Sequence, residues 1–290
     1  MNFRKIGQIV KGQDGAIWDH YLFRFKISGA CYVYDLNDLK PSAEQDGLLQ
    51  EIATFRLDKC EQLAPHSNAV MFGNEYYAPN DEFPLLYCNI YNNYKKAENR
   101  LEGFCCVYRL QRDGNTFATT LIQLIQIGFT DDKQLWLSER EDGDARPYGN
   151  FTIDREKGIY YAYTMRDSYH TTRYFSFTLP KSSDGETDET YNVRKVILTP
   201  NDILGWFDCD YHHFVQGACT HKGKIYSLEG FTDNVNNPAA LRIVLPDEKR
   251  QERCFMLKDY IIDVEPELID FMGDVCYYAD CCGNLYIVEF

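Results

Sequence analysis

The chain repeats itself. A short strand of small and apolar residues, a turn, an aromatic strand, a loop and a strand of the type x-V-Y-x-L recur along its 290 residues. A more variable fourth strand closes each unit. Such self-similarity restricts a chain to architectures in which each unit buries its apolar face against the next. The first copy runs Gly12-Gln13-Asp14-Gly15-Ala16-Ile17, then Tyr21-Leu22-Phe23, then Cys31-Tyr32-Val33-Tyr34-Asp35-Leu36. The second begins at His66-Ser67-Asn68-Ala69-Val70-Met71 and reaches Cys106-Val107-Tyr108-Arg109-Leu110 through Leu85-Leu86-Tyr87-Cys88. Further copies start at Tyr148-Gly149-Asn150-Phe151, at Val215-Gln216-Gly217-Ala218-Cys219 and at Pro266-Glu267-Leu268-Ile269-Asp270. The 22 Tyr and 18 Phe cluster with Val and Ile in these runs, as suits a pleated, half-buried surface. Gly, Asn, Asp and Pro separate the runs at hairpin intervals. Only Thr119 to Glu139 competes as a helix, and its β-branched residues and Gly128 turn it toward strand, with a loop after it.

Four-strand units in series resemble the blades of β-propellers, whose radial repetition protects sheet edges. The resemblance covers nearly the whole chain. It implies an all-β fold: a five-bladed β-propeller of four-stranded antiparallel blades, forming a single domain over residues 1–290. Five units leave about 58 residues each, and the surplus falls after Tyr91, after Gly128 and after Pro180. The fifth unit has only three strands before Phe290, whereas Phe3 to Val10 precede the first unit without a partner. That run is expected to lie beside Leu285 to Glu289 and close the ring. There is no Trp-Asp blade ending and no paired-Gly kelch signature. Five-bladed propellers include furanosidase-type glycoside hydrolases and lectins. Such hydrolases usually open the first blade with an acidic residue next to Pro; here Asp14 is followed by Gly15.

The net charge of −14, from 30 Lys plus Arg against 44 Asp plus Glu, is a poor balance for neutralising phosphates, so no nucleic-acid partner is expected. No apolar run approaches the length of a membrane span, and Met1-Asn2-Phe3-Arg4-Lys5 leads into no secretory h-region. The 11 cysteines are an odd number, most of them inside apolar runs, with Cys105-Cys106 and Cys281-Cys282 adjacent. This reads as a reduced, cytoplasmic-type chain. No metal is expected: no CxxC pair has a matching His or Cys set, and His212 and His213, adjacent on a strand, would face opposite sides. No cofactor is expected either. Gly12-x-x-Gly15 lacks the third glycine and the helix of a phosphate loop, and no Gly-x-Ser-x-Gly elbow occurs. The acidic run Asp184-Gly185-Glu186-Thr187-Asp188-Glu189 reads as a solvated, locally disordered loop.

In a propeller the innermost strands line a central channel. The residues leading into them here are polar: Gln13-Asp14-Gly15, His66-Ser67-Asn68, Gly149-Asn150, His213 to Gly217, and Glu265-Pro266-Glu267. Gln13, His66, Asn68, Asn150, His213 and Gln216 are therefore the expected ligand-binding residues, with Trp18 or Tyr148 available to stack on a sugar. A small polar ligand, a glycan or a peptide segment fits this set. The alternative is a glycoside hydrolase or lyase. It needs two carboxylates, and Asp14, Asp19, Glu265 and Glu267 are the candidates, with Asp208 and Asp210 behind them.

Overall fold

A computed structural model describes residues 1–43, 46–90, 103–127, 150–166, 169–212, 214–231, 238–261 and 264–290. The described residues form five sheets. The chain begins with β1 (Asn2–Gln8). The first blade then comprises β2 (Gly15–Trp18), β3 (Tyr21–Phe25), β4 (Ala30–Asp35) and β5 (Ala53–Arg56). The second comprises β6 (Val70–Phe72), β7 (Leu86–Ile90), β8 (Phe104–Asp113) and β9 (Thr116–Ile127). The third starts with β10 (Phe151–Asp154), β11 (Ile159–Arg166) and β12 (Thr171–Thr178). Its outer strand, β15 (Gly205–Asp210), comes after β13 (Glu186–Asp188) and β14 (Val193–Leu198). The fourth comprises β16 (Val215–His221), β17 (Lys224–Glu229), β18 (Ala240–Leu245) and β19 (Arg250–Met256). In the fifth, β20 (Pro266–Met272), β21 (Val275–Asp280) and β22 (Asn284–Glu289) take β1 as outer strand.

The first strands of the blades form the ring: β2 packs beside β6, β6 beside β10, β10 beside β16, β16 beside β20, and β20 beside β2. The molecule is a five-bladed β-propeller, closed as expected by β1 against β22, with Phe3 opposite Val288 and Lys5 opposite Tyr286.

The core lies between blades. Strand alternation sends Ile17 toward the fifth blade, among Leu268, Tyr277 and Leu285, and sends Ala16 toward the second, among Val70, Phe72 and Phe83. On β6, Val70 and Phe72 face the first blade while Ala69 and Met71 face the third. Period two along an inner strand is thus set by two neighbouring blades, which is why these strands read apolar at nearly every position. All 11 cysteines are free thiols, eight of them buried in these interfaces. No helix among the described residues is long and apolar enough to cross a membrane.

One expectation fails. Part of the acidic run after Pro180 is ordered as β13, which pairs with β14, and β14 adds in parallel to β9 at the edge of the second blade. The exposed ladder of β9 offers unpaired backbone groups, and Val193–Leu198 satisfies them. Gln123 anchors the crossing by donating to the carbonyls of Lys181 and Asp184. Of Thr119 to Glu139, residues to Ile127 are strand as read, and the rest lie outside the described residues. The surplus segments after Tyr91 and after Gly128 also lie outside them.

Within the fourth blade, Arg242 Nε donates to Glu229 Oε1 at 2.8 Å. Burial nonetheless pushes the Glu229 carboxyl from 4.5 up to about 7, with Arg242 opposing. A carboxyl whose folded pKa is raised favours folding fully below its ordinary pKa, and that contribution is lost as pH rises through about 7. Glu229→Gln does not ionise. Its unfolding free energy relative to wild type, read from denaturant titrations, is expected to shift in the variant's favour between about pH 4 and pH 8, by up to about 3 kcal/mol at roughly 1.4 kcal/mol per pH unit. A pH-independent difference contradicts this.

Candidate functional site

The channel has two mouths. At the N-terminal mouth the inner strands begin, and the structure gathers Gln13, Asp14, Gln216, Glu265 and Glu267 there. Asp14 is fully buried; its Oδ2 accepts the Val70 N–H at 2.9 Å, tying the first blade to the second. Its Oδ1 points toward Gly217. A Cβ at that glycine would come within 3.2 Å of Oδ1 and 2.3 Å of the Glu267 carbonyl oxygen, so only glycine fits. Gln13 donates to Glu267 at 3.3 Å, and Gln216 donates to Glu265 at 2.7 Å and to the Gly230 carbonyl at 3.3 Å.

Burial holds the Asp14 and Glu267 carboxyls well above their ordinary range, against the nearby Arg24. Glu265, half-buried, is also raised by burial, with the Gln216 hydrogen bond opposing. Arg24 is the member the sequence reading missed. It is fully buried, and its Nη2 donates to the carbonyls of Gly12 (2.9 Å) and Asp280 (2.8 Å). Its one signal is a charge in the middle of Tyr21-Leu22-Phe23-Arg24-Phe25.

The other candidates separate. Asn68 is engaged within its own blade: its Oδ1 accepts from Asn89 Nδ2, and its N–H donates to Asn89 Oδ1. Asn150 is half-buried, its carbonyl accepting the Tyr163 N–H at 3.3 Å. His66 is half-buried just ahead of β6. His213 lies outside the described residues, as does Tyr148. Asp19 is not at this mouth: it follows β2 at the opposite end of the strand, exposed and 2.6 Å from His20. Asp208 sits on the outer strand β15, held by Arg166 and Arg173, and Asp210 lies on the same strand. His212 is buried against the Tyr174 hydroxyl, and burial pushes its pKa well down.

At the C-terminal mouth the five inner strands end in turns that enclose a bowl. One lobe, about 360 Å³, is lined by Trp18, Asn74, Tyr76, Arg155, Thr220 and His221 among others. A second, about 490 Å³, is lined by Asp19, Phe271 and Met272 and shares Trp18, Arg155 and His221 with the first. All five blades contribute. The second blade contributes through the long segment between β6 and β7, whereas the fourth uses a tight turn: Lys222 (φ 49°) and Gly223 (φ 71°) both occupy left-handed backbone between β16 and β17, as a two-residue hairpin requires.

Below the bowl, Asp270 accepts the N–H of Ile17 at 2.7 Å and of Phe271 at 2.8 Å. His221 stacks on Phe271 with ring centres 4.0 Å apart, and burial lowers its pKa, leaving it neutral near pH 7. The Arg155 guanidinium lies 5.4 Å from the Trp18 ring centre, and Tyr76 meets Trp18 edge-on at 6.3 Å. The bowl therefore offers aromatic surface, a guanidinium fork, a neutral imidazole and amide and hydroxyl groups in one concavity.

No protein-family model matches the sequence, and no curated protein matches it. Solved structures match in shape at low identity. An engineered GH43 glycoside hydrolase with endo-xylanase and exo-arabinofuranosidase activity is 12% identical with a TM-score of 0.36, over 72% of this chain and 35% of that one. This chain thus spans about a third of that protein's length. The Dos1 propeller is 10% identical with a TM-score of 0.36, over 95% of this chain and 66% of that one. BamB from Moraxella catarrhalis is 8% identical with a TM-score of 0.32, over 95% and 69%. These likenesses carry no information about a ligand; the blade count rests on this chain's own sheets.

Proposed function

We propose that the protein is a ligand-binding propeller that holds a small, hydroxyl-rich ligand of carbohydrate type in the bowl at the C-terminal mouth. The observation that carries this reading is the convergence of all five blades on one cavity with Trp18 and Tyr76 as aromatic walls and Asn74, Thr220 and His221 as polar groups. Sugar rings present an apolar face that stacks on such rings, while their hydroxyls bond to amides and imidazole. Polar groups at both mouths are already engaged: Gln216 with Glu265 and Gly230, Asn74 with the Arg155 carbonyl at 3.1 Å, and Thr220 with Thr152 at 2.8 Å; what favours the bowl is its aromatic surface at Trp18 and Tyr76. A hydrolase or lyase reading draws on the raised carboxyl of Glu265. Its second carboxylate, Glu267, is 1% exposed, and a general acid must reach the glycosidic oxygen. Binding is the better reading.

Trp18→Ala is expected to weaken glycan binding at least 10-fold, about 1.4 kcal/mol or more, in calorimetric titrations across a glycan panel. Retained affinity in the variant, or binding abolished instead by Gln216→Ala, contradicts the placement.

A further inference from the structure

We propose that the ligand of the bowl is an acidic sugar, whose carboxylate is held by Arg155; this rests on the bowl being the binding site. Arg155 follows β10 directly and is half-buried. Its guanidinium packs on the Trp18 ring and, among the described residues, makes no hydrogen bond or ion pair. Through space it offsets part of the cost of burying Asp270, but both Asp270 oxygens are already bonded to backbone N–H groups.

Most other ionisable groups around the bowl have bonded partners. Lys222 pairs with Asp274, which also lies 3.5 Å from His221. Asp154 accepts the Lys157 N–H at 3.0 Å, Lys157 Nζ bonds Asp247, and Asp19 faces His20. Only Glu156, exposed at the rim, joins Arg155 in having no bonded partner among the described residues. In a chain of net charge −14, a guanidinium held over the channel without a bonded counter-ion is conspicuous. Its planar fork matches a carboxylate with two parallel N–H···O bonds, which a lysine cannot supply. Beside it, Trp18 and the exposed Tyr76 offer surface to the apolar face of the ring that bears the acid. A sugar acid satisfies both features at once; a neutral sugar leaves Arg155 desolvated and unpaired.

The test is calorimetry on the full chain with matched pairs: digalacturonic acid and oligosaccharides ending in glucuronic or sialic acid, each beside its carboxyl methyl ester. An acidic hexapeptide is titrated in parallel. At least one acid is expected to bind at least 10-fold more tightly than its ester. Arg155→Gln should erase that preference, Arg155→Lys should keep part of it, and both variants should melt near the wild-type temperature. The guanidinium makes no hydrogen bond or ion pair among the described residues, and the hydrogen bond that Arg155 does make, from Asn74, is to its backbone carbonyl. If esters bind as well as acids, with affinity still dependent on Trp18, the acidic-sugar inference falls while the bowl remains the site. If no saccharide binds, or only the peptide does, both readings fall.

Discussion

A chain lacking residues 1–8 is expected to lose most of its stability. Those residues supply β1, and with it the outer strand of the fifth blade. Phe3 packs edge-on to Tyr278 and Tyr286, with ring centres 5.3 and 5.9 Å away, and Met1 and Phe3 border the core between the fourth and fifth blades. Ile6 borders the core between the fifth and first. Without β1 the β22 ladder becomes an open edge, and the chain that ties the fifth blade to the first through the β1–β22 pairing is gone. The loss should be at least about 5 kcal/mol, against a total of roughly 5–15, and Tm should fall by more than about 10 °C. A melting curve within about 2 °C of wild type would refute closure by β1.

The second large effect is expected at Arg24. Arg24→Met keeps the volume and the apolar stem but leaves Glu267, Asp14 and Asp280 beside an uncompensated buried site, and strips the Gly12 and Asp280 carbonyls of their donor. Removing one partner from a buried charge cluster typically costs about 3–5 kcal/mol. The loss should also depend on pH. Without the guanidinium, the Asp14 and Glu267 carboxyls rise further above their ordinary values, so wild type gains on the variant as pH rises and the gap narrows in acid. Adding Glu267→Gln to the variant should recover part of the loss. Equal Tm values for wild type and Arg24→Met at neutral pH would show that the cluster does not hold the mouth together.

The blades were legible in the sequence because aromatic and β-branched strands, small-residue inner strands and hairpin turns all agree locally. Ring closure was legible because Phe3 to Val10 had no partner and the last unit lacked a strand. The polar residues leading into the inner strands were found, and Gln13, Asp14, Gln216, Glu265 and Glu267 do meet. What the sequence does not carry is which mouth opens into a cavity. The bowl is made by the turns at Trp18-Asp19, Asp154-Arg155 and His221-Lys222; the sequence points to Trp18 and Asp19 but groups them with the strand entries, and Arg155 and His221 carry no motif of their own. They become a site only when the ring brings five turns together. Arg24 was hidden for a similar reason: its partners come from Gly12 and, in the neighbouring fifth blade at the far end of the sequence, Asp280. The acidic run before β14 carries no strand signal of its own because the β9 edge that orders its hairpin belongs to another blade.

The most direct test of the bowl is the indole N–H signal of Trp18 in a ¹H–¹⁵N spectrum, assigned by Trp18→Phe and followed during titration with digalacturonic acid and with its methyl ester. Trp206, on the outer strand β15, serves as the internal control. A ligand seated at the C-terminal mouth shifts the Trp18 signal and the Arg155 Nε–H signal while Trp206 stays in place. Binding that leaves Trp18 unmoved and instead shifts the side-chain amides of Gln13 and Gln216 would put the ligand at the other mouth and contradict the account.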